Sequence, residues 1–380
     1  MRILITNSAL TGRNGTSLYV RDLAFQLLRR GHTPIVYSTE LGKVAWELRG
    51  ATIPVTDDLD ALDAAPDLIH GHHNHELFTA LLRFPGVPAV RVCHGWVDER
   101  PWPFPRIRRY VAVDDTTRDR CLHEWGLPED QVMVLLNWVD LEQFPRRSPL
   151  PPRPRKALVF SNNASRYLWA IRQACSANDI EVDAVGESLG AITEDPGRLL
   201  PQYDLVFAKA RAAMEAMAAG CSVILCDAVG CGPMVTSGEV AQLRRLNFGM
   251  RTLRNPIEPA LINRQIARYD AEDASLVSSQ IRQSAGIDAA VDQWQSLYEE
   301  ILADEPARPA ADPAEEMRAT SRYLRSLPSR LKEWPDSGML GLRIMLRSMY
   351  RKMRRSPFLR TFNSSTTSQW ADSISRKLRG

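Results

Sequence analysis

The residues with the clearest chemistry surround the start of one predicted helix. An apolar strand pattern at residues 203–207 leads into an alanine- and methionine-rich helix pattern that ends at Gly220. Lys209 and Arg211 therefore lie at a helix N-terminus, where free amides and the helix dipole favour phosphate. Glu215 follows one turn later on the same face as Arg211. This set suits a nucleotide diphosphate and its ribose, and a surface Arg–Glu ion pair is the alternative.

A second group of candidate residues precedes the first predicted helix. Asn14, Gly15 and Thr16 follow the opening strand pattern. A glycine at this point lets backbone amides approach a phosphate or a sugar. The segment is not a dinucleotide-binding fingerprint, because Leu18 stands where the third glycine is required. A plain turn with a helix cap is the alternative interpretation.

Histidines concentrate where the middle strands of the first half end. All seven precede residue 124, and five of them fall in two predicted loops, residues 70–75 and 93–96. Their spacing matches no zinc-binding pattern, so we expect no metal ion. His94 is the best candidate for a general base or a sugar contact, and His72 is a further candidate contact.

Length and composition bound the class of protein. A chain of 380 residues favours two domains, and 44% hydrophobic with 24% charged residues is typical of globular proteins. The sequence has no apolar run of about 18 residues and no secretory signal pattern at its start. Its six cysteines are widely spaced, which indicates a reducing compartment. We therefore expect a cytoplasmic protein.

Positive charge concentrates near the C-terminus. The net charge is +3, yet residues 331–380 hold eleven Lys or Arg and only three Asp or Glu. Residues 338–355 combine a leucine and methionine face with an arginine-rich face at helical spacing. This pattern favours peripheral contact with an anionic inner membrane surface, and a packed or partner-binding helix is the alternative. Because the basicity is confined to this segment, we expect no nucleic-acid partner.

Strand and helix patterns alternate twice along the chain, which predicts an α/β fold with parallel sheets. A proline-rich segment, residues 146–156, separates two doubly wound Rossmann-like domains that face each other across a cleft. We expect the helix pattern at residues 289–302 to close the second domain. The predicted organisation has four parts: a first domain at 1–145, the linker at 146–156, a second domain at 157–305, and a basic helical extension at 306–380.

Several of these segments, taken in order, resemble the family 4 glycosyltransferases, which are retaining enzymes of the GT-B fold. The resemblance covers residues 1 to about 300 and depends on four motifs: the first loop with Gly15 and Thr16, His94-Gly95, Asn137-Trp-Val-Asp140 with Phe144, and Glu215-Ala-Met-Ala-Ala-Gly220. It implies a nucleotide-diphosphate sugar donor, no metal and no separate cofactor. It also implies that residues 1–145 form the acceptor domain and residues 157–305 the nucleotide-sugar domain.

The resemblance also implies roles for individual residues. Glu215 would bind the ribose, Gly15 and Thr16 would approach the sugar or its diphosphate, and His94 would contact the donor sugar. Asn14, His72, Arg166 and Asn137 are further candidate contacts.

Two departures from the family pattern concern the donor site. The first of the two family glutamates would fall at Phe207, and the usual Arg and Lys after the first strand of the second domain are missing. Lys209 and Arg211 are expected to replace this charge, with Arg166 as a weaker substitute.

The resemblance therefore implies a hexosyltransferase that acts on a glycan or lipid-linked acceptor in polysaccharide or glycolipid assembly. A catalytically inactive binding or scaffold protein is the first alternative, because Phe207 replaces a glutamate. A nucleotide-cofactor oxidoreductase or sugar epimerase is the second. It is disfavoured because no tyrosine is followed four residues later by lysine.

Overall fold

The first domain is built on a seven-stranded parallel sheet. The computed structural model describes residues 1–12, 14–95 and 99–333, with side chains up to residue 327. The elements of this domain are β1 (Arg2–Thr6), β2 (Ala9–Leu10), α1 (Gly15–Arg29), β3 (Thr33–Tyr37), β4 (Glu40–Leu41), α2 (Lys43–Gly50), β5 (Val55–Thr56), β6 (Leu68–Gly71), α3 (Asn74–Arg83), β7 (Ala89–Cys93), β8 (Ile107–Ala112), α4 (Asp115–Asp119) and β9 (Val132–Val134). The sheet order is β5-β3-β1-β6-β7-β8-β9, and β2 pairs with β4 in a separate small sheet.

The register of this sheet brings the ends of its central strands together. Thr6 of β1 pairs with Gly71 of β6, and Gly71 pairs with Arg91 of β7. The loops that follow β6 and β7 therefore begin side by side at one edge. Both faces of the sheet are covered, which accounts for the nearly continuous apolar sequence of its inner strands.

The second domain repeats the arrangement on a smaller scale. Its elements are β10 (Lys156–Phe160), α5 (Leu168–Ser176), β11 (Glu181–Val185), α6 (Pro196–Leu199), β12 (Leu205–Ala208), α7 (Ala210–Ala218), β13 (Ser222–Asp227), β14 (Gly230–Met234), α8 (Val240–Arg245), α9 (Pro259–Ile266) and α10 (Ala271–Ser284). The five strands lie in the order β11-β10-β12-β13-β14, and only β14 is antiparallel to its neighbour. The predicted α/β fold with two doubly wound domains is confirmed.

The edge strand β14 is absent from the sequence-based expectation. Gly230 and Gly232 interrupt the apolar pattern that would identify a strand. Glycine is required at both positions for steric reasons. A Cβ at Gly230 would lie 2.8 Å from the carbonyl oxygen of Leu253, and one at Gly232 would lie 2.8 Å from that of Thr252. Glycine is needed because another backbone segment passes close to this strand.

The expectation that residues 289–302 close the second domain is wrong. Helix α11 (Ile287–Asp304) instead packs into the core of the first domain, where Trp294 and Tyr298 are fully buried. The chain leaves the first domain near Val139 and returns to it at Gly286. These two residues form an isolated parallel bridge, so the two crossings lie side by side. The apolar face of α11 fits either sheet, so its periodicity alone does not tell which domain it covers.

Residues 135–155 contain no helix and no β-strand, in agreement with the proline-rich linker pattern. The described residues from 314 onwards belong to a unit separate from residues 1–313. Its described part is helix α12 (Pro313–Glu333), which begins with proline and two glutamates, as is typical of a helix start. The basic segment 338–355 lies outside the described residues. Over the described part of the chain, no helix has both the length and the apolar character needed to cross a membrane.

Candidate functional site

Two adjoining cavities lie at the carboxyl ends of the strands. The larger has a volume of about 360 Å³ and is lined from both domains, by Gly15 of α1 and Glu215 of α7 among others. The smaller has a volume of about 260 Å³ and includes His94 and Arg166. Lys209 lines both cavities. The fold thus brings most of the candidate residues from distant parts of the sequence to one cleft.

The backbone turns sharply between β12 and α7. A single residue, Lys209, separates the two elements. The first helical residue, Ala210, has φ of +50°, a left-handed conformation that is strained for alanine. Its amide donates to the carbonyl oxygen of Phe248 at 2.9 Å. This turn points the start of α7 into the larger cavity, which Arg211 and Ala212 also line.

Arg211 forms ion pairs with carboxylates of both domains. Its Nε donates to Oε1 of Glu215 at 2.7 Å, and its Nη2 donates to Oδ2 of Asp22 in α1 at 2.6 Å. The other oxygen of Asp22 accepts from Nη2 of Arg21, also at 2.6 Å. Burial lowers the pKa of Arg211, but the carboxylates of Asp22 and Glu215 outweigh it and raise that pKa overall. The charge of Arg211 is therefore balanced within the protein.

The same network sets the state of Glu215. Burial raises the pKa of its carboxyl group, and the pairing with Arg211 opposes that rise. The Arg–Glu pair expected from the i, i+4 spacing is present, yet its carboxylate is only 7% exposed and lines the larger cavity. It is a pair inside the cleft and not an ordinary surface pair.

Lys209 is also paired. Its Nζ lies 2.9 Å from Oδ2 of Asp227 at the end of β13, and Oδ1 of Asp227 accepts from the hydroxyl of Ser161 at 3.0 Å. Burial raises the pKa of Asp227, but the hydrogen bond and charge of Lys209 outweigh it and leave that pKa lowered. Three strand ends of the second sheet are thus joined by one hydrogen-bonded cluster.

Arg166 differs from these two cations. It lies on the loop after β10, is exposed, and lines the smaller cavity with His94. Among the described residues it has no ion-pair partner. The order of the candidate cations is therefore reversed relative to the sequence-based expectation, because the residue ranked as a weaker substitute is the one whose charge is not balanced.

The histidines lie on the side of the first domain. His94 lines the smaller cavity, while His72 is fully buried behind it. Nδ1 of His72 is 2.5 Å from Nε2 of His94. His70 is buried with its Nδ1 2.6 Å from the hydroxyl of Tyr298, and burial lowers its pKa to about 3. Within the described residues, no three His, Cys, Asp or Glu side chains form a group that could hold a metal ion.

The remaining candidates have different positions. Asn14 caps α1, where its Oδ1 accepts from the amide of Ser17 at 2.9 Å and from the hydroxyl of Thr16 at 3.0 Å. Gly15 lines the larger cavity. Asn137 lines neither cavity, and its Oδ1 is buried without a hydrogen-bond partner in the structure.

Phe207 is fully buried inside β12 and packs in the core beneath the sheet. Position 207, where the first family glutamate is expected, lies in strand β12 and not in the loop before α7. The reason is that α7 begins only five residues before Glu215. Phe207 lines neither cavity.

Sequence reasoning missed Asp22, Arg21, Asp227 and Ser161. Asp227 and Ser161 follow predicted strands, a position that could have drawn attention to them. Asp22 lies within an amphipathic helix and carries no local signal.

Two Rossmann-like domains that enclose a cleft at their strand ends define the GT-B fold of glycosyltransferases. The family profile described as Glycosyltransferase Family 4 matches residues 13–143 of the chain. This match confirms the resemblance predicted from the sequence, and together with the fold it supports a glycosyltransferase-type function.

Solved structures share this fold at low sequence identity. A glycosyltransferase from Rickettsia africae ESF-5 is 14% identical, with a TM-score of 0.60, over 79% of this chain and 98% of that one. Anabaena HepE in complex with UDP is 16% identical, with a TM-score of 0.55, over 79% of this chain and 100% of that one. The same protein in complex with UDP and glucose is 15% identical, with a TM-score of 0.54, over 79% and 99% of the two chains. A search of curated proteins finds no significant sequence match.

Proposed function

We propose that the protein transfers a sugar from a nucleotide-diphosphate sugar to a glycan or lipid-linked acceptor, with retention of configuration and without a metal ion. The observation that carries this proposal is the larger cavity, which Glu215 of the second domain and Gly15 of the first line from opposite sides. The complexes of Anabaena HepE with UDP and with UDP and glucose support a nucleotide-sugar donor in such a cleft.

Within this site, Glu215 accepts hydrogen bonds from the ribose hydroxyls. Its carboxylate is fixed in place by Arg211, which is itself held by Asp22. Arg211 therefore positions the carboxylate of Glu215, which binds the ribose. It does not serve as the main diphosphate contact. This role differs from the one inferred from the sequence, where Arg211 was expected to hold phosphate.

The diphosphate lies between Arg166 and the first turn of α7. Arg166 contributes a charge that no carboxylate of the described residues balances, and Arg211 and Ala212 of the first turn of α7 line the larger cavity at the positive end of the helix dipole. Lys209 adds a charge that is shared with Asp227. Such donors stabilise the negative charge that grows on the leaving diphosphate during transfer. His94 faces the sugar from the first domain.

Binding of nucleotides tests this proposal directly. Full-length protein is heated with UDP, GDP or ADP, or with their sugars, and the melting temperature is measured. A ligand that binds only the folded state raises this temperature. We expect one nucleotide series to do so in the wild type and not in Glu215→Gln. Glu299→Gln, on the exposed side of α11, is the matched control and should respond like the wild type. Absence of a shift with every nucleotide would contradict the proposal.

A catalytically inactive binding protein is the second candidate. It is favoured by one observation, the neutralisation of Lys209 and Arg211 by carboxylates. Nucleotide binding without hydrolysis or transfer from any bound nucleotide sugar would support it. Transfer that is lost in Glu215→Gln and kept in Glu299→Gln would exclude it.

Peripheral attachment to the cytoplasmic face of a membrane belongs to the same proposal, and its motivation is the arginine-rich pattern at residues 338–355. Full-length protein is expected to bind vesicles that contain anionic lipid and to lose this binding when Arg343, Arg347 and Arg351 are changed to glutamate. Equal binding to neutral vesicles would contradict the membrane contact.

A further inference from the structure

A pair of stacked histidines lies behind the wall of the smaller cavity. The rings of His72 and His94 are 4.8 Å apart between centroids and 18° from parallel. Nδ1 of His72 is 2.5 Å from Nε2 of His94, so one proton lies between the two nitrogens. His94 lines the cavity, whereas His72 has no exposed surface. His72 can therefore affect a bound ligand only through His94.

The environment of His72 decides which ring donates this proton. The other nitrogen of His72, Nε2, is buried and has no hydrogen-bond partner among the described residues. If His94 donated, the proton of neutral His72 would have to lie on this buried Nε2, where an N–H group would go unpaired. If His72 donates from Nδ1, only a lone pair is left unpaired at Nε2. Buried N–H groups without acceptors are the rarer defect, so donation from His72 is favoured.

His72 is held in the neutral state that this arrangement needs. Burial lowers its pKa well below the ordinary value, and positive charge on neighbouring groups, among them His94, His70 and Arg91, lowers it further. A neutral ring has a single proton, and because Nε2 has no acceptor this proton lies on Nδ1.

Aromatic side chains fix the geometry of both rings. Tyr19 of α1 meets each of them edge-on, with centroids 5.2 Å away and ring planes inclined at 74° to His72 and 85° to His94. Behind His72 lies His70, which contacts Trp294 and Tyr298 of α11. The pair is therefore enclosed by three separate elements of the fold.

We propose that His72 is a positioning residue for His94: it donates a hydrogen bond from Nδ1 to Nε2 of His94, and so fixes both the ring orientation and the tautomer of His94. With Nε2 occupied as an acceptor, neutral His94 carries its proton on Nδ1. Nε2 of His94 is then not available as a base in the sugar site. The functional part of this inference rests on the proposed glycosyltransferase activity, while the tautomer itself does not.

The tautomer is measured on the full-length wild-type protein without any substrate. Long-range proton–nitrogen correlation spectra of histidine-labelled protein distinguish a ring protonated on Nδ1 from one protonated on Nε2. His94 is assigned by comparison with His94→Gln. We expect the Nδ1-protonated pattern for His94 at neutral pH. An Nε2-protonated pattern would overturn the proposal, whether or not the protein turns out to transfer sugars.

Two variants separate positioning from simple packing. The side-chain amide of Asn places a donor close to the position of Nδ1, so His72→Asn should keep the His94 tautomer, whereas His72→Leu should lose it. In a transfer assay, His72→Leu should lower kcat by up to about 100-fold with little change in KM, because the ring is misplaced for the reaction and not for donor binding. His72→Asn should recover most of that loss.

Equal spectra for the two variants, or equal loss of kcat in both, would contradict the positioning role. Melting temperatures of both variants identify any general loss of folding. If no nucleotide sugar is a substrate, the proposed function fails while the tautomer result still stands, so the two failures are distinguishable.

Discussion

Asp22 and Arg211 form an ion pair that joins the two domains, with 2.6 Å between Oδ2 of Asp22 and Nη2 of Arg211. The two residues are 189 positions apart in the sequence. Asp22 is nearly inaccessible and also pairs with Arg21, so one carboxylate contacts two guanidinium groups. Each guanidinium has a second carboxylate partner, Glu47 for Arg21 and Glu215 for Arg211. This ion pair therefore joins the two domains directly beside the cleft, next to Glu215, which we propose binds the ribose.

Weaker ion pairs join the domains around this contact. Arg245 pairs with Asp115, and Arg251 pairs with Asp119, so both ends of the short helix α4 are linked to the second domain. These side chains are at least 30% exposed, and each such pair contributes about 0–1 kcal/mol. The buried contact of Asp22 therefore dominates the electrostatic coupling between the domains.

Removal of Asp22 should be strongly destabilising. In Asp22→Ala, Arg21 and Arg211 lose their shared carboxylate while remaining mostly buried. Loss of one partner of a buried ion pair costs roughly 3 kcal/mol or more, and we expect this decrease in the free energy of unfolding in urea. Asp288→Ala removes an exposed partner of Arg30 and serves as control, with a change below about 1 kcal/mol. Similar losses in both variants would contradict the importance of the Asp22 contact.

The strands of both domains could be predicted because their apolar runs are local. The run at residues 223–226 is found within β13, and the helix that ends before Gly220 is α7. Such elements depend on residues a few positions apart, which the sequence displays directly. The chemistry near them also depends on distant partners. Lys209 and Arg211 look like unpaired cations in the sequence because Asp227 and Asp22 are brought to them only by the fold.

The position of helix α11 and the His72–His94 contact could not be predicted either, because both depend on residues that are distant in the sequence. Helix α11 has an apolar face that would fit either sheet, and only the return of the chain at Gly286 places it on the first domain. The His72–His94 contact requires the parallel pairing of β6 with β7, which aligns two loops that are about 20 residues apart. Local patterns identified both histidines but not their hydrogen bond.

Arg166 should affect ligand binding without affecting stability. Its guanidinium is exposed and unpaired among the described residues, so Arg166→Ala removes charge from the cavity and little packing. We expect the affinity for the bound nucleoside diphosphate to fall by about tenfold, which corresponds to about 1.4 kcal/mol. Titration calorimetry at low and high salt measures this effect, which should shrink as salt increases. Arg172→Ala, on the exposed side of α5, should bind like the wild type.

Gly186 should be intolerant of any side chain. A Cβ at this position would lie 1.8 Å from the carbonyl oxygen of Ser161, and both residues line the larger cavity. Gly186→Ala must therefore displace the loop after β10, at a cost of about 1–3 kcal/mol in stability. Nucleotide affinity should fall at the same time. In Gly238→Ala the added methyl group meets no atom within 4 Å, so stability and nucleotide binding should both be close to wild type.

The strained start of α7 should be relieved by glycine. Ala210 has φ of +50°, a conformation that glycine adopts without a steric penalty. We expect Ala210→Gly to raise the free energy of unfolding by about 1 kcal/mol. Ala212→Gly, two residues later inside the helix, should lower it by about 1 kcal/mol. Urea unfolding of the two variants gives the sign of each change, and a loss of stability in Ala210→Gly would show that the turn is not strained.

Stability should decrease in mild acid because histidines are buried in neutral form. Burial lowers the pKa of His70 from 6.5 to about 3 in the folded protein, so the unfolded chain binds more protons between these pH values. Stability from this group is complete above pH 6.5 and is lost progressively as the pH falls towards 3. At pH 5.5 the loss is about 1.4 kcal/mol for His70 alone, and His72, whose pKa burial also lowers, should add to the loss in the same direction.

Urea unfolding at pH 7.5 and at pH 5.5 measures this dependence. His70→Gln removes the titrating group while keeping a side chain that can reach Tyr298, so it should reduce the difference between the two pH values by about 1.4 kcal/mol. His75→Gln, at an exposed histidine, is the matched control for replacing a histidine by glutamine. A wild-type protein that is equally stable at both pH values would mean that His70 accepts a proton in the folded state, which its enclosure by Trp294 and Tyr298 opposes.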